Sequence, residues 1–177
     1  TLGGSLLVQS GGLLGGTGTL GSAASTITIG PGGVHAPGNS IGTQTIAGDY
    51  VNHGTLRIEG TPGKADKLVV MGSVDISGST LDLLLSPVEA AAWPIANGPF
   101  TLIDKQSVGS VGGTFGTVNG NLLFLTPSLD YAGGDGNDVT LELSRNEVAF
   151  AAVGRTRNQI ATGEAVDRLP DTNPVWN

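Results

Sequence analysis

Residues 32–50 read GGVHAPGNSIGTQTIAGDY, and the fold follows from how this stretch is punctuated. Glycine and proline mark turns, and the pieces between them, residues 43–47 and 49–51, are short and β-prone. A near-repeat of the opening lies upstream in residues 11–20, GGLLGGTGTL, and another β-prone piece follows in residues 55–59. Turn, short strand, turn at intervals of roughly twenty residues is what a coil of stacked strands needs. Within residues 25–29, Ile27 and Ile29 alternate with Thr26 and Thr28, the two-residue period of a half-buried strand. One such turn buries too few apolar side chains to offset the entropy of ordering its backbone, so its stability must come from the turns above and below. The expected fold is all-β: a right-handed parallel β-helix with a C-terminal β-hairpin or antiparallel cap, followed by a short α-helical linker.

Composition supports an ordered chain. Glycine numbers 30 of 177 residues, and charged residues make up only 13%. Disordered chains are short of aliphatic residues and rich in charge, whereas this one is 38% apolar. The net charge of −7 and the absence of any basic cluster exclude a nucleic-acid partner on electrostatic grounds. No run of about 18 apolar residues is present, and no signal peptide opens the sequence.

Further strands are expected at residues 68–71, 74–76 and 80–85, the last with Leu81, Leu83 and Leu85 on one face. Leu84 breaks that alternation, which predicts a strand covered on both sides. Residues 86–98 read as a helical turn with Ser86 as N-cap, Pro87 at the first position and Trp93 near its end. Strands follow at residues 100–104, 111–118, 122–125, 128–131 and 139–143. Asn119-Gly120 predicts a two-residue hairpin that closes the stack, since an open last turn would expose a row of unpaired backbone groups. Residues 147–169 lose the glycine punctuation and read as a helix with Val148, Ala152, Gln159, Gly163 and Val166 near one face; residues 170–177 read as a tail.

The run from Gly32 to Thr43, followed by Ile46-Ala47-Gly48-Asp49-Tyr50, resembles the C-terminal passenger region of pertactin-like autotransporters, the type V secreted proteins of Gram-negative bacteria. Asp66-Lys67-Leu68-Val69-Val70-Met71-Gly72, leading into Gly78-Ser79-Thr80-Leu81, fits the same family, as does Asn137-Asp138-Val139-Thr140-Leu141. Arg155-Thr156-Arg157-Asn158-Gln159 is similar to the segment that enters the family's membrane barrel. The resemblance implies three regions: the last turns of a passenger β-helix (1–60), an autochaperone or capping region (61–144), and a linker helix and tail (145–177). It implies a non-enzymatic secretion and folding module at the cell surface or released from it. Its partner would be its own C-terminal outer-membrane β-barrel, and signal and barrel would lie outside these residues. Leu68, Val70, Leu81, Leu83, Leu85, Val139, Leu141 and Leu143 are the candidate folding core, with Phe100 and Phe115 packing the cap. The chain has no cysteine. A cross-linked loop would jam in the narrow pore through which such passengers cross unfolded, although a chain of this length without cysteine is also common. A second reading is an adhesin stem with a host-cell ligand.

Three constellations bear on chemistry. Gly38-Asn39-Ser40-Ile41-Gly42 matches the G-x-S-x-G of hydrolase elbows, but a strand-like stretch follows where a helix is required, so a turn is the expectation. Gly133-Gly134-Asp135-Gly136-Asn137-Asp138 matches the start of a calcium-binding nonapeptide that works only as an array; one copy predicts a polar turn, with Asp135, Asn137 and Asp138 as the weak metal candidates. His35 and His53 have no second ligand type beside them and read as turn residues. No cofactor is implied.

Overall fold

The computed structural model describes residues 3–86 and 99–170. Three strands make each coil. The first holds β1 (Leu6–Val8), β2 (Leu13–Gly16) and β3 (Gly18–Leu20), and the second β4 (Thr26–Ile29), β5 (Val34–Pro37) and β6 (Thr43–Ile46). The third holds β7 (Asp49–Asn52), β8 (Thr55–Thr61), the short return β9 (Lys64–Ala65) and β10 (Lys67–Val70). A fourth begins with β11 (Val74–Asp75) and β12 (Thr80–Leu85) and ends in β13 (Phe100–Lys105). Like strands pair in parallel and form three faces: β1-β4-β7-β11, β2-β5-β8-β12-β14 and β3-β6-β10-β13, where β14 is Thr117–Gly120. This is the expected parallel β-solenoid.

Register aligns inward side chains into columns. On one face Leu14, His35, Leu56 and Leu81 are successive partners; on the next Leu20, Ile46, Val70 and Lys105; on the third Leu6, Ile27, Tyr50 and Val74. The alternation seen in Ile27 and Ile29 therefore repeats at the same station in each coil, and both residues are fully buried. Two of the glycines at the corners are there for proximity. A Cβ on Gly54 would lie 2.4 Å from the Gly33 carbonyl oxygen, and one on Gly48 2.0 Å from that of Ser25. Coil upon coil leaves no room for a side chain at those points.

The stack is closed at its C-terminal end. β15 (Leu125–Gly133) and β16 (Asp138–Arg145) form an antiparallel hairpin, and β16 pairs antiparallel with β13. The cap is thus as expected, but its hairpin is not at Asn119-Gly120. Those residues end β14, which runs parallel to β12 with Gly120 opposite Leu83. Gly120 gives room to Leu122, whose Cγ would sit 3.2 Å from an added Cβ, and the Asn121 amide then caps β12 by bonding both Leu85 N–H (3.0 Å) and Leu85 C=O (2.8 Å). A side-chain amide continues the ladder where the strand stops.

Two other expectations are corrected. Leu84 is 42% exposed, so β12 is covered on one face and the leucine simply points outward. The helix α1 spans only Arg157–Asp167. Thr156 and Gln159 form a capping box that starts it there, and Val148 and Ala152 lie before it. Residues 151–153 form a 3-10 turn that lies against α1 at Gly163, and the Asp167 carboxylate accepts from Phe150 N–H (2.8 Å) and Ala151 N–H (3.0 Å). The predicted helical turn at 86–98 and the tail at 170–177 fall outside the described residues, apart from Ser86 and Pro170. Among the described residues no helix is long and apolar enough to cross a membrane.

Candidate functional site

The closed end is built from the residues named as candidate core. Leu68, Val70, Leu81 and Leu83 have no exposed surface; Leu85, Val139, Leu141 and Leu143 are buried. They join one cluster through β10, β12, β13 and β16, with Phe115 buried and Phe100 partly so. The Phe115 N–H donates to the Tyr131 hydroxyl (3.2 Å), and the two rings stand 6.2 Å apart, which pins the segment before β14 to the hairpin. Arg145, at the end of β16, lies over the rings of Phe124 (5.1 Å) and Phe150 (4.8 Å) and donates to the Val148 carbonyl (3.0 Å). That guanidinium fastens the chain leaving the cap.

Lys105 was not anticipated. It occupies the station of Leu20, Ile46 and Val70, is 2% exposed, and donates from Nζ to the carbonyls of Ser107 (2.6 Å), Val108 (2.9 Å) and Gly109 (2.7 Å). Three ammonium protons meet three acceptors, which is how a buried cation is tolerated without a carboxylate. Alternation from Ile103 was the available signal.

The chemical candidates make structural contacts. Ser40 has φ 63, the positive-φ non-glycine residue of the described chain, but strands β5 and β6 flank it and no helix follows. Its loop is held by Asp66 of the next coil, whose carboxylate accepts from Gly42 N–H (2.8 Å) and Glu59 N–H (2.8 Å). Burial pushes the Asp66 carboxyl up, against those two bonds. Asp66 thus explains why Gly38-Asn39-Ser40-Ile41-Gly42 keeps its shape. A Cβ on Gly38 would come within 2.5 Å of its Oδ1.

Asp135, Asn137 and Asp138 lie in and beside the turn joining β15 to β16. Asp138 Oδ1 accepts from Lys105 N–H (2.9 Å), and Asn137 Nδ2 donates to the Ser107 carbonyl (2.7 Å). Both tie the cap to the loop that Lys105 braces. Burial raises the Asp138 carboxyl pKa. Among the described residues no three His, Cys, Asp or Glu side chains converge as metal ligands.

His53 sits in an exposed bend, but His35 does not lie in a turn: it is on β5, fully buried. Its Nε2 meets Gln44 Oε1 at 2.6 Å and its Nδ1 meets Tyr50 Oη at 2.8 Å; Asn52 Nδ2 donates to the same hydroxyl at 3.1 Å. These four residues come from all three faces of the solenoid. Burial pushes the His35 imidazole down to about 4, with the Gln44 bond opposing, and raises the Tyr50 phenol.

No family model matches the chain. Among curated proteins it is similar to an extracellular serine protease of Serratia marcescens, 30% identical over 177 residues. The match covers 95% of this chain but only 16% of that protein, so the chain spans a small part of the relative it matches.

Proposed function

We propose that the chain is the C-terminal part of an exported passenger and acts as a non-enzymatic folding and secretion module. The solenoid fold and the similarity to part of an extracellular protein support a passenger-like region and a secreted or surface location. The protease activity of that relative is not carried over, because the aligned share of it is small.

The observation that carries the folding role is the closure of the C-terminal end. At the C-terminal end, β13, β16 and β15 turn the parallel stack into an antiparallel sheet over a buried apolar core. A closed end that forms by itself presents an edge on which each further coil can pair, so folding spreads along one dimension. Outside the cell, where no nucleotide drives folding, coils that have closed cannot re-enter a narrow pore, and transport becomes directional. The partner in this reading is the outer-membrane β-barrel of the same polypeptide.

Leu83→Asp tests it. An uncompensated carboxylate in the fully buried Leu83 column should lower surface display of the full-length protein while leaving its membrane barrel assembled. Unchanged display would remove the folding role.

A further inference from the structure

Four buried polar side chains meet inside the otherwise apolar second and third coils. Each of the four side chains replaces an aliphatic station: His35 stands between Leu14 and Leu56, Gln44 beside Leu68, Tyr50 between Ile27 and Val74, and Asn52 beside Ile29. All four are 1% exposed or less.

Backbone groups at both ends fix the direction of every hydrogen bond between them. Gln44 Nε2 donates to the Gly15 carbonyl of the first coil (3.3 Å), so Gln44 Oε1 faces His35, and His35 Nε2 must carry the proton. At the other end Gly54 N–H donates to Asn52 Oδ1 (2.8 Å), so Asn52 Nδ2 faces Tyr50 and donates to its oxygen. The Tyr50 hydroxyl must then give its own proton to His35 Nδ1. The chain from Asn52 to Gly15 is complete with one neutral histidine tautomer and has no place for another proton.

We propose that this buried relay makes the joint between the second and third coils acid-labile, opened by protonation of His35, while the capped end stays closed. A proton on Nδ1 would oppose the Tyr50 hydroxyl proton across the 2.8 Å contact and put a charge in an enclosed apolar interior. Nothing nearby compensates it. β2, β5 and β6 carry no charged side chain. Asp49 on β7, Arg57 and Glu59 on β8 and Lys67 on β10 stand at the outward stations of their strands. Arg57 pairs with Asp82 (3.0 Å) and Lys67 with Asp104 (2.8 Å). Asp66 is committed to two backbone N–H groups, and His53 is exposed. The low position of the His35 imidazole agrees with this setting. The joint lies outside the β10–β13 and β13–β16 pairings that hold the capped end, so its opening is separable from the folding role.

The test uses the 177-residue chain, with amide exchange corrected for the intrinsic effect of pH and imidazole ¹⁵N resonances followed from pH 7 to pH 3.5. Expected are a neutral Nε2–H tautomer for His35 at pH 7 and a titration midpoint below 5. Exchange should rise at least tenfold by pH 4 in residues 26–29, 34–37, 43–46 and 49–52, and remain unchanged in residues 100–105 and 138–143. His35→Leu, which restores the Leu14–Leu56 column, should abolish the acid response. A wild-type midpoint near 6.5 with protection intact would overturn the proposal, as would opening that persists in His35→Leu. Should that variant not fold, the wild-type titration and the location of its exchange still decide.

Discussion

Gly54→Ala separates the two reasons for which this chain uses glycine. Gly54 does not have a positive φ; what it lacks is space. The new Cβ would lie 2.4 Å from the Gly33 carbonyl oxygen, 2.6 Å from that of Gly30 and 2.9 Å from Ile29 Cγ2. Carbon and carbonyl oxygen approach each other to about 3.3 Å at closest, so the third coil must lift from the second by up to about 1 Å. The bonds that join the coils there are Thr55 N–H to Gly33 C=O (3.0 Å) and His53 N–H to Ile29 C=O (2.8 Å), and both would pass beyond hydrogen-bonding distance. Two lost bonds at about 1 kcal/mol each, plus about 1–3 kcal/mol of overpacking, exceed the ~0.4–1 kcal/mol gained from a stiffer unfolded chain. The net expectation is a loss of about 2–4 kcal/mol in urea denaturation followed by circular dichroism. Gly63→Ala is the control: nothing lies within 4 Å of its Cβ position, and it should be neutral or slightly stabilising. If the two variants agree within about 0.5 kcal/mol, close approach is not what places glycine at that corner.

Asp66→Ala should cost about 2–4 kcal/mol by leaving two backbone N–H groups without their acceptor, and amide exchange at Gly42 and Glu59 should rise with it. Asp66→Asn keeps one acceptor and should fall between. Lys105→Met removes the ammonium that holds the carbonyls of Ser107, Val108 and Gly109 in the loop after β13, leaving the Asn137 amide on Ser107; the loop should become protease-sensitive while the solenoid's circular dichroism is retained.

The solenoid and its cap were legible because they rest on local signals. Two-residue alternation marks inward positions, and glycine marks the corners of each coil. What was not legible depends on which residues come to share a level. Leu14, His35 and Leu56 are spaced 21 residues apart, so aligning the coils would have put the histidine in a leucine column. That Gln44, Tyr50 and Asn52 converge on it is set by three different faces, which no single period reveals. Asn119-Gly120 misled because its dipeptide is a turn signal only when the chain has no parallel partner to follow, and here β12 supplies one. The helix was overextended since low glycine content marks where a helix is permitted, whereas Thr156 and Gln159 mark where it starts.

The relay also fixes the sign of the chain's response to acid. The His35 imidazole falls from 6.5 to about 4 on folding, so the unfolded chain binds the extra proton between those values. Stability is then fully present above about pH 6.5 and drains as pH falls toward 4, by about 3 kcal/mol at about 1.4 kcal/mol per pH unit. Asp66 and Asp138 act in the opposite sense, since burial raises both carboxyls and their ionised forms burden the fold as pH climbs through the carboxylate range. Asp138 belongs to the cap and Asp66 to the corner between β9 and β10, whereas His35 lies one coil further from the closed end. Because each coil is held chiefly by its neighbours, these terms act where they arise and do not average over the molecule. Acid should therefore loosen the coils around His35 and spare the capped end.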